Sequence, residues 1–198
     1  MDAPITAAHD DARSPVLVAY ATKHGHTRLI AERVGAVLRE SGLEIDLCDL
    51  GARHADARPA AYSGVVVAAS VHAGRHQASV ERWAKSHTNT LATRPTAFLS
   101  VSLTAADDTD EALATTSRMI EDLREKTGWN PTRTLAVAGA LLYREYDIAT
   151  RVLMRLISRQ HGAPTDVSRD FDFTDWAAVE QFAREFAALV AAPAAQPA

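Results

Sequence analysis

Residues 21–28 read ATKHGHTR, so Thr22, Gly25 and Thr27 are interleaved with Lys23, His24 and His26. Those residue types suit the holding of an anion. Two hydroxyls can donate hydrogen bonds, a glycine lets the backbone come close, and Lys23, His24 and His26 can carry positive charge. The stretch lies between an apolar run, VLVAY, and an amphipathic one, LIAERVGAVLRE, where a strand turns into a helix. The N–H groups of a helix's first turn are unpaired and the helix dipole favours negative charge there, which suits a terminal phosphate monoester. A helix simply capped by Thr27, at or near its N-cap, is the competing reading of the same residues.

Other phosphate chemistries fail by position. A Walker A loop needs glycine at 20 and lysine at 26, where the chain has Tyr20 and His26. The dinucleotide fingerprint G-x-G-x-x-G is absent. Cys48 is the sole cysteine and has no arginine six residues later, which removes a cysteine-phosphatase loop, an internal disulfide and a cysteine metal cluster together. No metal site is expected. In the alternating run LEIDLCDL, Cys48 reads as a packing residue.

Elements that alternate along the chain must position this loop. With 198 residues, 47% of them apolar, a single domain with a proper core is expected. Strands are predicted over 16–21, 43–47, 64–70, 96–103 and 134–142, with helices over 27–41, 78–85, 110–128, 148–160 and 176–191. Strands alternating with helices imply parallel pairing through right-handed crossovers. The expected fold is an α/β doubly wound five-stranded parallel sheet of order 2-1-3-4-5, with helices on both faces. Ligands then bind beyond the carboxyl ends of the strands, which selects loops 21–27, 70–77, 103–109 and whatever follows strand five. Residues 1–14 and 192–198 read as flexible tails around a domain over 15–191.

A net charge of −4 disfavours a nucleic-acid binder. No run approaches the roughly 18 apolar residues of a membrane span, and the first fourteen residues lack a signal-peptide pattern, so the expected address is cytoplasmic. Residues 143–160 are distinctive. Ile148, Ala149, Val152, Leu153, Leu156 and Ile157 form an apolar stripe, and Arg151, Arg155 and Arg159 a basic one beside it. Such a helix either packs on the sheet or lies on an anionic membrane at the inner face of the cell.

The T-x-x-G-x-T loop resembles the FMN-phosphate loop of flavodoxins. The segments YATKHGHTRLIAERV, VVAASVHAGRH, AFLSVSL, GWNPTRTLAVAGALLYREYD and FTDWAAVEQFARE resemble, in the same order, those of flavodoxin-like menaquinone-dependent protoporphyrinogen IX dehydrogenases. The resemblance implies an FMN site. Thr22, Lys23, His24, Gly25, His26 and Thr27 would surround the phosphate. Ser70, Val71, His72, Ala73 and Gly74, with Arg75 and His76, would form one flavin-edge loop, and Ser102, Leu103, Thr104 and Ala105 the other. The aromatic residue that flavodoxins stack on the flavin is replaced here by Ala73, which leaves Tyr143 or Tyr146 to fold over from the last loop.

The resemblance further implies an FMN-dependent oxidoreductase that oxidises protoporphyrinogen IX in heme biosynthesis and passes electrons to a membrane quinone. His72, Arg75 or His76 would meet the porphyrinogen carboxylates or favour the reduced flavin. Tyr143, Arg144 and Tyr146, with the arginine stripe, would meet substrate or membrane. No catalytic acid or base is assigned. A flavodoxin-type electron carrier docking on redox proteins is the alternative, although an acidic rim is missing. A nicotinamide-linked reductase lacks a dinucleotide motif, and a module that has lost FMN is kept open by the missing aromatic.

Overall fold

The computed structural model describes residues 14–53, 55, 57–141 and 171–192. Its centre is β1 (Val16–Ala21), whose six residues are all buried. A strand with both faces covered has no polar side, which is why VLVAYA shows no alternation. β1 pairs in parallel with β2 (Ile45–Asp49) on one side and with β3 (Gly64–His72) on the other. β5 (Thr96–Ser102) and β6 (Arg133–Ala138) extend the sheet in the order β2-β1-β3-β5-β6, all parallel. The expected doubly wound topology is present.

Alternate residues of the strands feed two cores. On one face Val16, Val18 and Tyr20 pack under α1 (His26–Glu40) and α5 (Trp176–Ala191). On the other, Leu17, Ala19 and Ala21 pack under α2 (Ala78–Ser86), α3 (Thr88–Leu91) and α4 (Asp110–Thr127). The last helix thus covers the sheet beside α1, and Arg33 and Glu180 tie the two helices at 2.5 Å. α4 carries the caps its sequence announces. Thr109 Oγ1 accepts from the Ala112 N–H at 3.3 Å, and left-handed Gly128 closes the helix on the Arg124 carbonyl.

Several boundaries differ from the sequence expectation, each for a local reason. β2 starts at Ile45 rather than 43 because the Leu43 N–H donates to the Leu38 carbonyl, closing the end of α1. Loop 70–77 is largely a hairpin. β3 runs on to His72, and β4 (Arg75–His76) returns antiparallel, pairing His72 with Arg75. The two residues between, Ala73 (φ 49°) and Gly74 (φ 73°), are both left-handed, as a two-residue type I′ turn requires. The expected fifth strand over 134–142 breaks at Gly139, whose N–H donates to the Ser102 carbonyl. Beyond it β7 (Ala140–Leu141) pairs antiparallel with β8 (Phe171–Asp172). The expected helix over 148–160, with its apolar and basic stripes, lies outside the described residues, as do Tyr143, Arg144, Tyr146, Arg151, Arg155 and Arg159. Among the described residues no helix is long and apolar enough to cross a membrane.

Candidate functional site

The carboxyl ends of β1, β3 and β5 open at the point where the strand order reverses, and three short segments meet there. The first is the β1–α1 turn. Gly25, at φ 85°, is the N-cap of α1 and no side chain caps the helix. Thr27 is therefore not the cap; it lies inside the first turn and is 1% exposed. The Gly25 N–H donates to Thr22 Oγ1 at 3.0 Å, while its carbonyl accepts from Arg28 and Leu29. The His26 and Thr27 N–H groups and the Thr27 hydroxyl have no partner among the described residues. A Cβ built on Gly25 would meet nothing within 4 Å, so the space beside the turn at Gly25 is open. Unpaired N–H groups, an oriented hydroxyl and a helix dipole fit the phosphate of FMN.

The second segment is the β3–β4 hairpin. His72, half-buried, packs edge-on against His24 with ring centroids 5.5 Å apart, joining the hairpin to the β1 turn. Burial, with Lys23 and His24 nearby, holds the His72 imidazole below its usual pKa, so it is neutral at pH 7. Lys23, Ala73, Gly74 and Arg75 are exposed around it. Ser70 is buried lower in β3, where its hydroxyl accepts from Gln77 Nε2 at 3.0 Å, and Val71 is half-buried in the strand. His76 does not belong to the rim where it was expected to meet a substrate. It is 6% exposed, 2.8 Å from Ser100 Oγ and edge-on to Phe98, because β4 turns it inward over β5. Burial pushes its pKa down to about 4.

The third segment follows β5. Ser102 is buried at the strand's end, and its hydroxyl accepts from the Ala105 N–H at 3.3 Å. Leu103 leads into a 3-10 turn over Thr104–Ala106, which leaves Leu103, Thr104 and Ala105 half-buried beside the hairpin. Among the described residues no group of three or more His, Cys, Asp or Glu could hold a metal ion.

One cluster at this edge escaped the sequence reading. His26 Nε2 lies 2.7 Å from Thr174 Oγ1, and Thr174 Oγ1 donates to the Ala138 carbonyl at 2.8 Å. A hydroxyl has one hydrogen, so His26 must donate, and its neutral ring carries the proton on Nε2. Asp172 lies 3.5 Å from the same nitrogen and accepts from the Thr174 N–H and the Trp176 indole. Burial pushes the Asp172 carboxyl up, but those hydrogen bonds and the His26 ring outweigh it and leave its pKa below the ordinary carboxylate value. Burial lowers the His26 pKa, and Asp172 only partly offsets that. In the sequence the segment F-T-D-W carries only part of the family resemblance; in the fold Asp175 also caps α5 through the Ala178 N–H.

The family model of the flavodoxin domain matches residues 17–168. A protoporphyrinogen IX dehydrogenase [quinone] of Leishmania major is 34% identical over 91% of this chain and 78% of its own length. The protein of the same name from Escherichia coli strain K12 is 32% identical over 89% of this chain and 97% of its own. Among solved structures, oxidised flavodoxin 1 of Bacillus cereus superposes with a TM-score of 0.53 at 15% identity, over 87% of this chain and 97% of its own. That likeness shows the fold alone. The chain belongs to the FMN-binding flavodoxin domain family, as a homologue of the quinone-linked protoporphyrinogen IX dehydrogenases.

Proposed function

We propose that this protein is an FMN-dependent dehydrogenase that oxidises protoporphyrinogen IX and delivers the electrons to a quinone. The observation that carries the reading is the α1 N-terminus left open by its own side chains, in a chain related over nearly its full length to enzymes of that name. Thr22, Gly25 and Thr27, with Lys23, His24 and the His26 N–H, hold the phosphate in this reading. The hairpin over 70–74 and the turn over 102–105 hold the two edges of the flavin. FMN, when bound, supplies a two-electron acceptor that can hand electrons on.

The chain's own task is to orient the flavin and receive the substrate. Exposed Lys23 and Arg75 give the rim its positive charge, which suits the carboxylates of a porphyrinogen. No side chain is assigned as general base. Residues 143–160, with an apolar stripe beside Arg151, Arg155 and Arg159, supply the approach to an anionic membrane surface and its quinone.

The test is to load the protein with FMN and mix it anaerobically with protoporphyrinogen IX. Oxidised-flavin absorbance and porphyrin fluorescence are followed together. Flavin bleaching matched by porphyrin formation supports the dehydrogenase. Flavin that stays oxidised here, yet is reduced by dithionite, makes the protein an electron carrier instead.

A further inference from the structure

α1 starts without a capping side chain, as α2 and α3 also do. α4 and α5 are held at their starts by the side chains of Thr109 and Asp175, each accepting a backbone N–H of the first turn. The start of α1 has no such bond. A capping side chain there would consume donors that an anion needs, because both compete for the same N–H groups. The turn must be fixed by other means.

We propose that His26 is a positioning residue that, held by Thr174 to the Ala138 carbonyl, sets the start of α1 for a phosphate while leaving that turn's N–H groups to the ligand. The inference rests on the FMN reading above. His26 is the first residue of α1, so fixing its ring fixes the first turn. The ring is held by Thr174, 148 residues away in sequence. The Thr174 hydroxyl is fully used. Thr174 gives its hydrogen to Ala138, receives one from His26, and is itself anchored by Asp172 through its N–H at 2.9 Å. Trp176 covers the imidazole edge-on, with centroids 6.1 Å apart, and donates to the other Asp172 oxygen at 3.0 Å. Linked hydrogen bonds of this kind favour one geometry. Thr174 touches neither the open N–H groups nor the Thr27 hydroxyl, so its effect on an anion passes only through His26.

The experiment titrates the full chain with FMN and with riboflavin, which lacks the phosphate, in wild type, Thr174→Val and Thr174→Ser. Loss of the hydroxyl's two part-buried hydrogen bonds, one of them to His26, predicts an FMN Kd weakened about tenfold in Thr174→Val and by less than about twofold in Thr174→Ser. Riboflavin binding is expected to be equal in all three. Nitrogen-15 NMR of the imidazoles should show His26 protonated on Nε2 in wild type and Thr174→Ser, and a mixture of tautomers in Thr174→Val. Unchanged FMN affinity in Thr174→Val overturns the inference, and so does an equal loss for FMN and riboflavin, which would mean general loosening. A wild-type chain that binds neither flavin overturns the cofactor reading itself, a result distinct from either.

Discussion

His76 Nε2 lies 2.8 Å from Ser100 Oγ, beneath the hairpin and in the middle of the sheet. The contact pins β4 to β5, and Phe98 closes over the ring with centroids 5.1 Å apart. A turn with two left-handed residues at its tip depends on such an anchor, since Ala73 adopts its φ of 49° at a cost that glycine would avoid. The shape of the rim therefore depends on a histidine buried beneath it.

That histidine makes stability depend on pH in a definite direction. Its pKa falls from 6.5 when free to about 4 in the fold, mainly through burial, with Glu81 acting the other way. Between those values the unfolded chain binds more protons, so stability is complete above about 6.5 and falls as pH drops towards 4. The full loss is about 3 kcal/mol at 1.36 kcal/mol per unit. Urea melts at pH 7.5 and 4.5 should show a difference of that order in wild type, and a clearly smaller one in His76→Gln, which keeps a donor for Ser100. An equal pH effect in both proteins would place the titration elsewhere.

Gly25→Ala separates backbone strain from ligand contact. No atom within 4 Å would collide with the new Cβ, so the cost is the left-handed conformation at φ 85°. That is about 1 kcal/mol net of the stiffer unfolded chain, or a fall in Tm of about 3 °C. FMN affinity should fall by more than about tenfold, because the methyl group projects into the approach to the donors. Calorimetry and flavin titration on one sample check both. A full stability loss with intact affinity would remove this turn from the site.

How far the sequence foretold all this depends on the range of the contacts. The strand order, both helix layers and the β1–α1 turn were legible, because apolar runs and caps are local signals and parallel topology follows from their alternation. Cys48 packs against the core as its strand pattern implied. The hairpin was missed because β3 keeps its apolar run only to Val71, and Ala73 gives no hint of a left-handed turn. His76 was misplaced for the same reason, since inward or outward orientation depends on register across a two-residue strand. Thr174 and Asp172 could not be seen at all. Their partner is nearly 150 residues away, and Thr-Asp before an apolar helix already has a sufficient local explanation as a cap.

The start of the segment GWNPTRTLAVAGALLYREYD, which carries part of the family resemblance, serves the structure. Gly128 ends α4, and Trp129 is 1% exposed, stacked edge-on to Phe98 and donating to Thr96 Oγ1 at 3.2 Å. Thr96 begins β5, at the end of the sheet away from the site. Trp129→Phe should cost about 2 kcal/mol, from one lost hydrogen bond and a partly filled cavity. FMN affinity should stay within about twofold, as expected for distant, independent sites. Urea melts and flavin titration decide. A large affinity loss would mean that the two ends of the sheet are coupled.

Arg75 tests the rim directly. It stands exposed after the left-handed pair, on a hairpin fixed from below by His76, so its charge can be reversed without disturbing the core. If the rim receives a carboxylated substrate, Arg75→Glu should raise the KM for protoporphyrinogen IX about fivefold to tenfold, the effect of an exposed charge turned from attractive to repulsive. FMN affinity and kcat at saturation should hold, because neither depends on a group that meets only the substrate's periphery. Added salt should shrink the difference between variant and wild type, since exposed charges are screened within about 8 Å at physiological ionic strength. A KM that ignores both the reversal and the salt would move substrate recognition away from the hairpin and onto the flavin's other edge, at Leu103–Ala105.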